Sequence, residues 1–193
     1  MKITRFKQFI AEGFEDVPSH RGTKECSIFV GRYSPPTRAH IKIVEDTYNK
    51  FKVPVVIFMI KSASGKNSGP FPAEVQKEIF EKCLTVPHVV LFAKSANIVE
   101  FLTVLRERDM EPIGFTCGQD RFASYKVQID RYAERLNYSI ELNEIKRDET
   151  SKENISGTNA RNSLMNDDFD EFKRNMHPKV WNMFDELKEY MKK

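Results

Sequence analysis

Short apolar segments alternate with segments of helical spacing along most of this chain, and few folds accommodate that alternation. Strands are predicted at Cys26–Val30, Val53–Ile60, His88–Ala93, Pro112–Cys117 and Ser139–Ile145. Helices are predicted between them at Arg38–Phe51, Ala73–Leu84, Asn97–Arg108 and Asp120–Leu136. The second apolar segment is nearly continuous, which is typical of a parallel strand buried on both faces. The pattern predicts an α/β fold, a Rossmann-like doubly wound parallel sheet of about five strands.

The segments on either side of this pattern are also predicted to be largely helical. Residues 1–23 are expected to form a short amphipathic helical peptide and then a polar linker that contains Gly, Pro and Ser. Residues 24–193 are the second predicted unit, which is helical from about residue 158 with a break near His177. The prediction is therefore one sheet domain preceded by a short peptide.

Composition argues against several classes of function. A net charge of +3 gives no indication of nucleic-acid binding, and no apolar segment approaches the length of a membrane span. Cys26, Cys83 and Cys117 lie far apart in the sequence, so they are interpreted as buried thiols in a reducing compartment. We expect a cytoplasmic protein with neither a nucleic-acid nor a membrane partner.

The segment Gly31–His40, here called the first motif, follows the first predicted strand and leads into the first predicted helix. A glycine ends the strand, two prolines stiffen the loop, and Thr37 and His40 lie about one helical turn apart. Their side chains and the amides of the helix start are expected to converge on one place, which suits the phosphates of a nucleotide. An ordinary connection with a capping threonine is the alternative.

The segment Ile155–Arg161, here called the second motif, precedes the C-terminal helices. Ser156 or Thr158 can cap the helix that follows, and a cap alone would explain either residue. Arg161 comes three residues after Thr158, on the same side of the first helical turn. The hydroxyl groups, the amides of the helix start and this guanidinium together indicate a second anion-binding site.

Together the two motifs resemble those of the nucleotidyltransferase superfamily, whose members carry (H/T)xGH after the first strand and ISxTxxR before a late helix. This chain has TRAH and ISGTNAR in those places, and the resemblance covers roughly residues 24–175. Within the superfamily it favours the nicotinamide-mononucleotide adenylyltransferase-like enzymes. Ala39 replaces the usual glycine, and Ala160 stands where a larger apolar residue is common. Neither departure removes a charged or hydrogen-bonding group.

The resemblance implies a role for each matching residue. His40 and Thr37 would act at the triphosphate, where His40 would stabilise the charge that develops as pyrophosphate leaves. Arg32 matches a phosphate-binding arginine of the archaeal-type enzymes, and Arg161 would hold the β and γ phosphates. These four are the predicted catalytic residues. The predicted nucleotide-binding residues are Gly31, Tyr33, Ser34, Ser156, Gly157 and Thr158.

The implied reaction is the transfer of AMP from Mg-ATP to a phosphate-bearing acceptor, with release of pyrophosphate. Nicotinamide mononucleotide is the expected acceptor, which would make NAD the product. Mg²⁺ would be bound mainly through the phosphates of ATP, so few dedicated protein ligands are expected. Phosphopantetheine as the acceptor, transfer of CMP, and a non-catalytic nucleotide-binding or packaged phage head protein are the alternatives.

Two further segments are predicted to contact the acceptor. Gly118, Asp120 and Arg121 follow the fourth predicted strand and resemble the family's G-x-D, although a helix start capped by aspartate would give the same pattern. Lys66 lies in the loop after the second predicted strand, where a lysine either reaches a phosphate or only contributes to solubility. Both segments are expected at the carboxyl edge of the sheet, where ligands bind in this fold.

The N-terminal peptide resembles the capsid-targeting peptides of T-even-type bacteriophages. A prohead protease cuts those peptides after a glutamate in an (I/L)xE context, and Ile10-Ala11-Glu12 fits that context. The resemblance implies a phage protein of the host cytoplasm that is partly packaged in the virion after cleavage at Glu12. A helical arm without a targeting role is the alternative. Family members are often oligomers, so a homo-oligomer is left open.

Overall fold

The computed structural model describes residues 21–60, 69–136, 139–145 and 155–192, with the backbone alone for residues 132–136. The strands are β1 (Lys24–Gly31), β2 (Val55–Ile60), β3 (His88–Ala93), β4 (Met110–Gly118) and β5 (Glu141–Ile145). The helices are α1 (Arg38–Phe51), α2 (Ala73–Cys83), α3 (Ile98–Arg106), α4 (Gln119–Leu136), α5 (Gly157–Met165), α6 (Phe169–Asn175) and α7 (Phe184–Tyr190), with a 3₁₀ helix at Pro178–Met183. Strands and helices therefore alternate in the predicted order.

The five strands pair in parallel in the order β3-β2-β1-β4-β5, which confirms the doubly wound α/β fold. From β1 the chain moves outward through β2 to β3, and then returns to the other side of β1 to form β4. The direction of winding therefore reverses between β1 and β4. In such sheets a crevice opens at the carboxyl ends of the strands where the winding reverses, and ligands bind there.

Two hydrophobic cores cover the sheet, because its central strands carry apolar side chains on both faces. Phe29 and Ile57 belong to the core that the sheet shares with α1, α2 and the C-terminal helices. Ile28 and Phe58 belong to the core on the other face, which α3 and α4 cover. All residues of β2 from Val55 to Met59 are buried, as the continuous apolar segment predicts.

The amino end of β1 is fixed to the turn that precedes β4. The backbone N–H and the hydroxyl of Thr23 both donate to the Asp109 carboxylate, at 2.8 and 2.6 Å. Beside them, the buried Glu111 carboxylate accepts from the Gly22 N–H at 3.0 Å and from the Arg106 guanidinium at 3.0 and 3.2 Å. These contacts hold the entry of the chain into the sheet at the end opposite to the crevice.

The bounds of two elements, α1 and β3, agree residue for residue with the sequence prediction. β5 begins at Glu141 rather than at the predicted Ser139, because its pairing with β4 starts at Glu141, opposite Gly114. The predicted break near His177 is confirmed, since a 3₁₀ helix starts at the next residue. No helix in the described part of the chain is both long and apolar enough to span a membrane.

The C-terminal helical part contains a further break, which the sequence analysis did not predict. α5 ends at Met165, and α6 begins at Phe169. Asp167 has a φ of 57°, in the left-handed region that ends helices, and the Asp168 side chain accepts the Glu171 N–H and so caps α6.

The three cysteines are buried and unpaired, as predicted. Burial raises the pKa of the Cys26 thiol to about 12. Burial likewise raises the pKa of Cys83 and of Cys117 to about 11. All three side chains therefore remain protonated thiols at neutral pH.

Candidate active site

The first motif forms the loop between β1 and α1, at the carboxyl edge of the sheet beside the reversal of winding. Gly31 ends β1 with no room for a side chain, since a Cβ there would lie 2.7 Å from the ring of Tyr33. Tyr33 has a φ of 48°, in the left-handed region, and its side chain is buried. The loop therefore folds back over the end of its own strand before α1 begins.

Thr37 and His40 form a reciprocal cap at the start of α1. The Thr37 backbone N–H donates to His40 Nδ1 at 3.0 Å, and Thr37 Oγ1 lies 2.9 Å from the same nitrogen. Because a backbone N–H can only donate, Nδ1 is the acceptor and the neutral ring carries its proton on Nε2. This arrangement orients His40 as a hydrogen-bond donor through Nε2.

The two motifs, more than a hundred residues apart in the sequence, meet at Ser34. The Arg161 guanidinium donates through Nη1 to the Ser34 carbonyl oxygen and through Nη2 to Thr158 Oγ1 at 3.1 Å. Gly157, the first residue of α5, packs so closely on the same carbonyl that an added Cβ would lie 2.9 Å from its oxygen. The start of α5 and the loop that leads to α1 therefore form one continuous surface.

The start of α5 is fixed from both sides. Ser156 caps the helix, since its hydroxyl accepts the Asn159 N–H at 3.0 Å. The Ser156 N–H donates to Oδ1 of Asn175, a buried residue of α6. The amide of Asn175 also donates to the backbone oxygen and to the carboxylate of Glu171, both at 2.9 Å. The sequence analysis missed Asn175, because a lone asparagine in a helix gives no signal of a contact 19 residues away.

Two of the predicted residues present positive charge at this edge. Arg32 is exposed and makes no hydrogen bond or ion pair with the residues that the structure describes. Arg161 is half-buried and is held by the two contacts given above. An exposed cation such as Arg32 suits an anionic ligand.

The predicted acceptor residues lie on the β4 side of the crevice. Gly118 ends β4 next to the end of β1, and an added Cβ there would lie 2.8 Å from Asp120 Oδ1. Arg121 is exposed, and its guanidinium lies 3.8 Å from the Asp120 carboxylate. The pKa of Cys117 is raised to about 11, mainly by burial and further by the carboxylates of Asp120 and Glu144. Both acids therefore lie near this strand end.

The loop after β2 is only partly described. Lys66 lies outside the described residues, as does the N-terminal peptide with Glu12. Gly69, at the far end of this loop, packs on the side chain of Ser34, where an added Cβ would overlap the Oγ atom. Sequence reasoning did not assign Gly69, although a glycine in a loop beside the crevice is a signal of close approach. The loop thus returns to the place where the two motifs meet.

The described residues contain no group of three or more His, Cys, Asp or Glu side chains placed to hold a metal ion. Three of the residues predicted in the two motifs, His40, Arg32 and Arg161, are instead hydrogen-bond donors or cations. Their chemistry fits a polyphosphate, and a divalent cation would reach this site together with such a ligand.

Comparison with solved structures agrees with the fold. A protein from Vibrio parahaemolyticus assigned as a nicotinate-nucleotide adenylyltransferase is 16% identical, with a TM-score of 0.58 over 89% of this chain and 98% of that chain. TmcAL from Thermotoga maritima, bound with alpha-thio ATP, is 12% identical, with a TM-score of 0.58 over 85% of this chain and 56% of that chain. At such identities the likeness shows the fold alone.

Comparison of the sequence defines the family. No curated protein matches significantly. The model of the cytidylyltransferase-like family, however, matches residues 28–163, which include the second half of β1 and all but the end of α5. This match covers well over half of the chain and contains both motifs. The chain therefore belongs to the cytidylyltransferase-like family, and its activity is nucleotidyl transfer.

Proposed function

We propose that the protein transfers AMP from Mg-ATP to a phosphate-bearing acceptor, with nicotinamide mononucleotide as the acceptor and NAD as the product. The observation that carries this proposal is the contact between the two motifs, in which Arg161 and Gly157 both meet the Ser34 carbonyl. A single anionic ligand in the crevice would touch both motifs at once. The residues of the two motifs supply hydrogen-bond donors and cations, which favours direct transfer between phosphates over a covalent intermediate.

The β and γ phosphates would bind at the start of α5. The amides of Gly157 and Thr158 donate to no group among the residues that the structure describes. Such amides carry the partial positive charge of a helix N-terminus, which attracts phosphate. Arg161 adds a full positive charge in the same turn, and its contacts with Ser34 and Thr158 orient the guanidinium.

The His40 imidazole would act where charge develops. An oxygen of the acceptor phosphate attacks the α phosphorus, a new P–O bond forms, and the bond from the α phosphorus to the oxygen of the leaving pyrophosphate breaks. Negative charge grows on that oxygen, and the Nε2–H of His40, held by Thr37, would donate to it. When bound through the phosphates of ATP, Mg²⁺ would supply Lewis-acid chemistry that helps to neutralise this charge.

The acceptor would lie between β1 and β4. Arg32 is exposed and makes no hydrogen bond or ion pair in the described part of the chain, so it suits the acceptor phosphate. Asp120 and Glu144 near the end of β4 favour a cationic ring over a second anion. The nicotinamide ring of a mononucleotide carries that positive charge, whereas phosphopantetheine carries none, so the charges at this end favour nicotinamide mononucleotide.

Adenine is the proposed base, because the second motif resembles those of the adenylyl-transferring enzymes. Two proteins of similar fold agree with adenine, since one is assigned as an adenylyltransferase and the other was crystallised with an ATP analogue. The family name refers to cytidylyl transfer, so CTP is the competing substrate. Direct comparison of ATP with CTP distinguishes the two.

The test is the release of pyrophosphate by the purified protein with Mg²⁺. ATP and CTP are each supplied with nicotinamide mononucleotide, with phosphopantetheine, or without an acceptor. We expect release only with ATP and nicotinamide mononucleotide, accompanied by an equal amount of NAD. Release with CTP but not with ATP would overturn the choice of base. Release with phosphopantetheine but not with nicotinamide mononucleotide would overturn the choice of acceptor.

Substitution of His40 separates an enzyme from a nucleotide-binding protein. His40→Ala should lower kcat by about 100-fold or more, the usual cost of losing one transition-state donor, with a small change in ATP affinity. His177→Ala is the matched control, because this histidine lies outside both motifs and its side chain accepts the Lys179 N–H. Binding of ATP by the wild-type protein without turnover on any acceptor would contradict the enzymatic proposal.

A further inference from the structure

We propose that Tyr33 is a positioning residue that fixes the imidazole of His40, and that it acts through its ring rather than by touching the nucleotide. This inference rests on the proposed function of His40 as the donor to the leaving group. It revises the expectation from the sequence that Tyr33 contacts the nucleotide. The argument depends on the burial of the ring, on its contacts and on the space left by Gly31.

The ring of Tyr33 is buried among other rings at the crevice edge. Only 4% of the residue is exposed, which leaves little surface for a ligand. The ring lies edge-on to the His40 imidazole, with centroids 5.2 Å apart and planes at 86°. Phe80 and Phe29 hold the same ring from other directions, with centroids at 5.0 and 5.2 Å. The imidazole therefore rests against a ring that the core holds in place.

Contacts with Thr37 and with Tyr33 both bear on the orientation of His40. The backbone N–H and the hydroxyl of Thr37 fix the position of Nδ1, but contacts at one ring atom leave the ring plane able to tilt. The nearly perpendicular packing of the Tyr33 ring on the imidazole restricts that tilt. The Nε2–H is thereby aimed before the substrate arrives, which is the condition for an effective donor to the transition state.

The backbone around Tyr33 is arranged to place this ring. Tyr33 adopts a φ of 48°, which costs a non-glycine residue free energy and persists only where the surroundings impose it. Gly31 leaves the space that the ring occupies, because a Cβ there would lie 2.7 Å from Cε1 and 2.8 Å from Cζ. The positive φ of Tyr33 and the missing Cβ of Gly31 together allow the ring to lie where it does.

The hydroxyl group of Tyr33 contributes nothing to this role in the described structure. It is buried and has no hydrogen-bond partner among the residues that the structure describes. Phenylalanine retains the ring and its contacts, so it should substitute for tyrosine far better than leucine does. The pair Tyr33→Phe and Tyr33→Leu therefore separates the ring from the hydroxyl.

The first experiment compares kcat and the KM for ATP in these two variants. Tyr33→Leu should lower kcat by about 10- to 100-fold, the effect of a small misplacement of a catalytic group, with little change in KM. Tyr33→Phe should restore most of that loss. Phe101→Leu is the control for lost aromatic packing, since Phe101 lies in the core on the other face of the sheet, and its kcat should not change. A rise in KM for ATP with kcat preserved in Tyr33→Leu would instead identify a nucleotide contact.

The second experiment is a double-mutant cycle with Gly31→Ala. The added methyl group should displace the Tyr33 ring and lower kcat in the wild-type background. In the Tyr33→Leu background the displaced ring is absent, so the same substitution should cost several-fold less. Equal effects in the two backgrounds would mean that Gly31 acts on the ligand and not on Tyr33, and would overturn the proposal.

A third measurement does not depend on turnover. The four histidines can be resolved by the ¹⁵N signals of their imidazole nitrogens, and His40→Ala assigns the signal of interest. In the wild-type protein and in Tyr33→Phe, His40 should show one ordered Nε2–H form. In Tyr33→Leu the same signal should broaden or shift. An unchanged His40 signal in Tyr33→Leu refutes positioning. If the wild-type protein lacks turnover but the His40 signal still changes in Tyr33→Leu, only the proposed reaction is refuted.

Discussion

Replacement of Asn175 by alanine should weaken ATP binding, although Asn175 lies in neither motif. Within the described residues its side chain makes three hydrogen bonds, one that accepts the Ser156 N–H and two that it donates to Glu171. Each is worth about 1 kcal/mol, so their loss should lower the free energy of unfolding by roughly 2–4 kcal/mol once the buried groups left unpaired are included. Release of the Ser156 N–H alone should raise the KM for ATP by about fivefold, because 1 kcal/mol corresponds to that factor.

Asn175→Asp separates the two effects. Aspartate keeps the oxygen that accepts from Ser156, but its second oxygen faces the carbonyl and carboxylate oxygens of Glu171. We expect the aspartate variant to lose at least as much stability as the alanine variant does, with a KM for ATP near that of the wild type. Denaturant unfolding gives the stability, and steady-state kinetics at low temperature give the KM.

The control for this pair is Asn162→Ala, since Asn162 is exposed on α5 and its side chain makes no hydrogen bond with the described residues. Stability and KM should both stay at the wild-type values in that variant. If Asn175→Ala and Asn175→Asp raise the KM to the same extent, the hydrogen bond to Ser156 does not position the phosphate site, and the reasoning is refuted.

Three further predictions concern parts of the molecule away from the crevice. Glu111→Ala should lower the free energy of unfolding by about 3–5 kcal/mol in a denaturant titration, because it removes the carboxylate that pairs with the buried Arg106, while kcat stays unchanged. A chain that starts after Glu12 should fold and should have the same kcat as the full chain, because Gly22 and Thr23 retain the contacts that fix β1. Loss of activity in this shortened chain would mean that the N-terminal peptide is needed for catalysis. The Cys26 thiol should react slowly with iodoacetamide at about pH 8 in the folded protein and quickly in urea, because its raised pKa keeps the folded thiol protonated. The same raised pKa should make the free energy of unfolding fall as the pH rises from 9 toward 12.

The fold could be predicted from the sequence because its signals are local. The helix from Arg38 to Phe51 has an apolar face at helical spacing, and the strand from His88 to Ala93 is a short apolar segment between turn residues. The break before α6 was missed even though Asp168 and Glu171 have the spacing of a capped helix start.

The candidate site was only partly predictable. His40 and Arg161 were found because each belongs to a short motif with a recognisable pattern. The contact of Arg161 with the Ser34 carbonyl could not be predicted, since a backbone oxygen leaves no trace in the sequence. Asn175 was missed for a related reason, because its partner is the backbone N–H of a residue outside its own helix.

The attachment of β1 at its amino end has a consequence for handling the protein. Gly22 and Thr23 are held at the end of the sheet opposite to the crevice, and β1 then runs its eight residues toward the candidate site. At about 3.3 Å per residue, the two ends of this strand are separated by about 23 Å. A support or a fluorescent label joined immediately before Arg21 would therefore be anchored far from the crevice. The immobilised protein should keep an open path for nucleotides to enter and for products to leave.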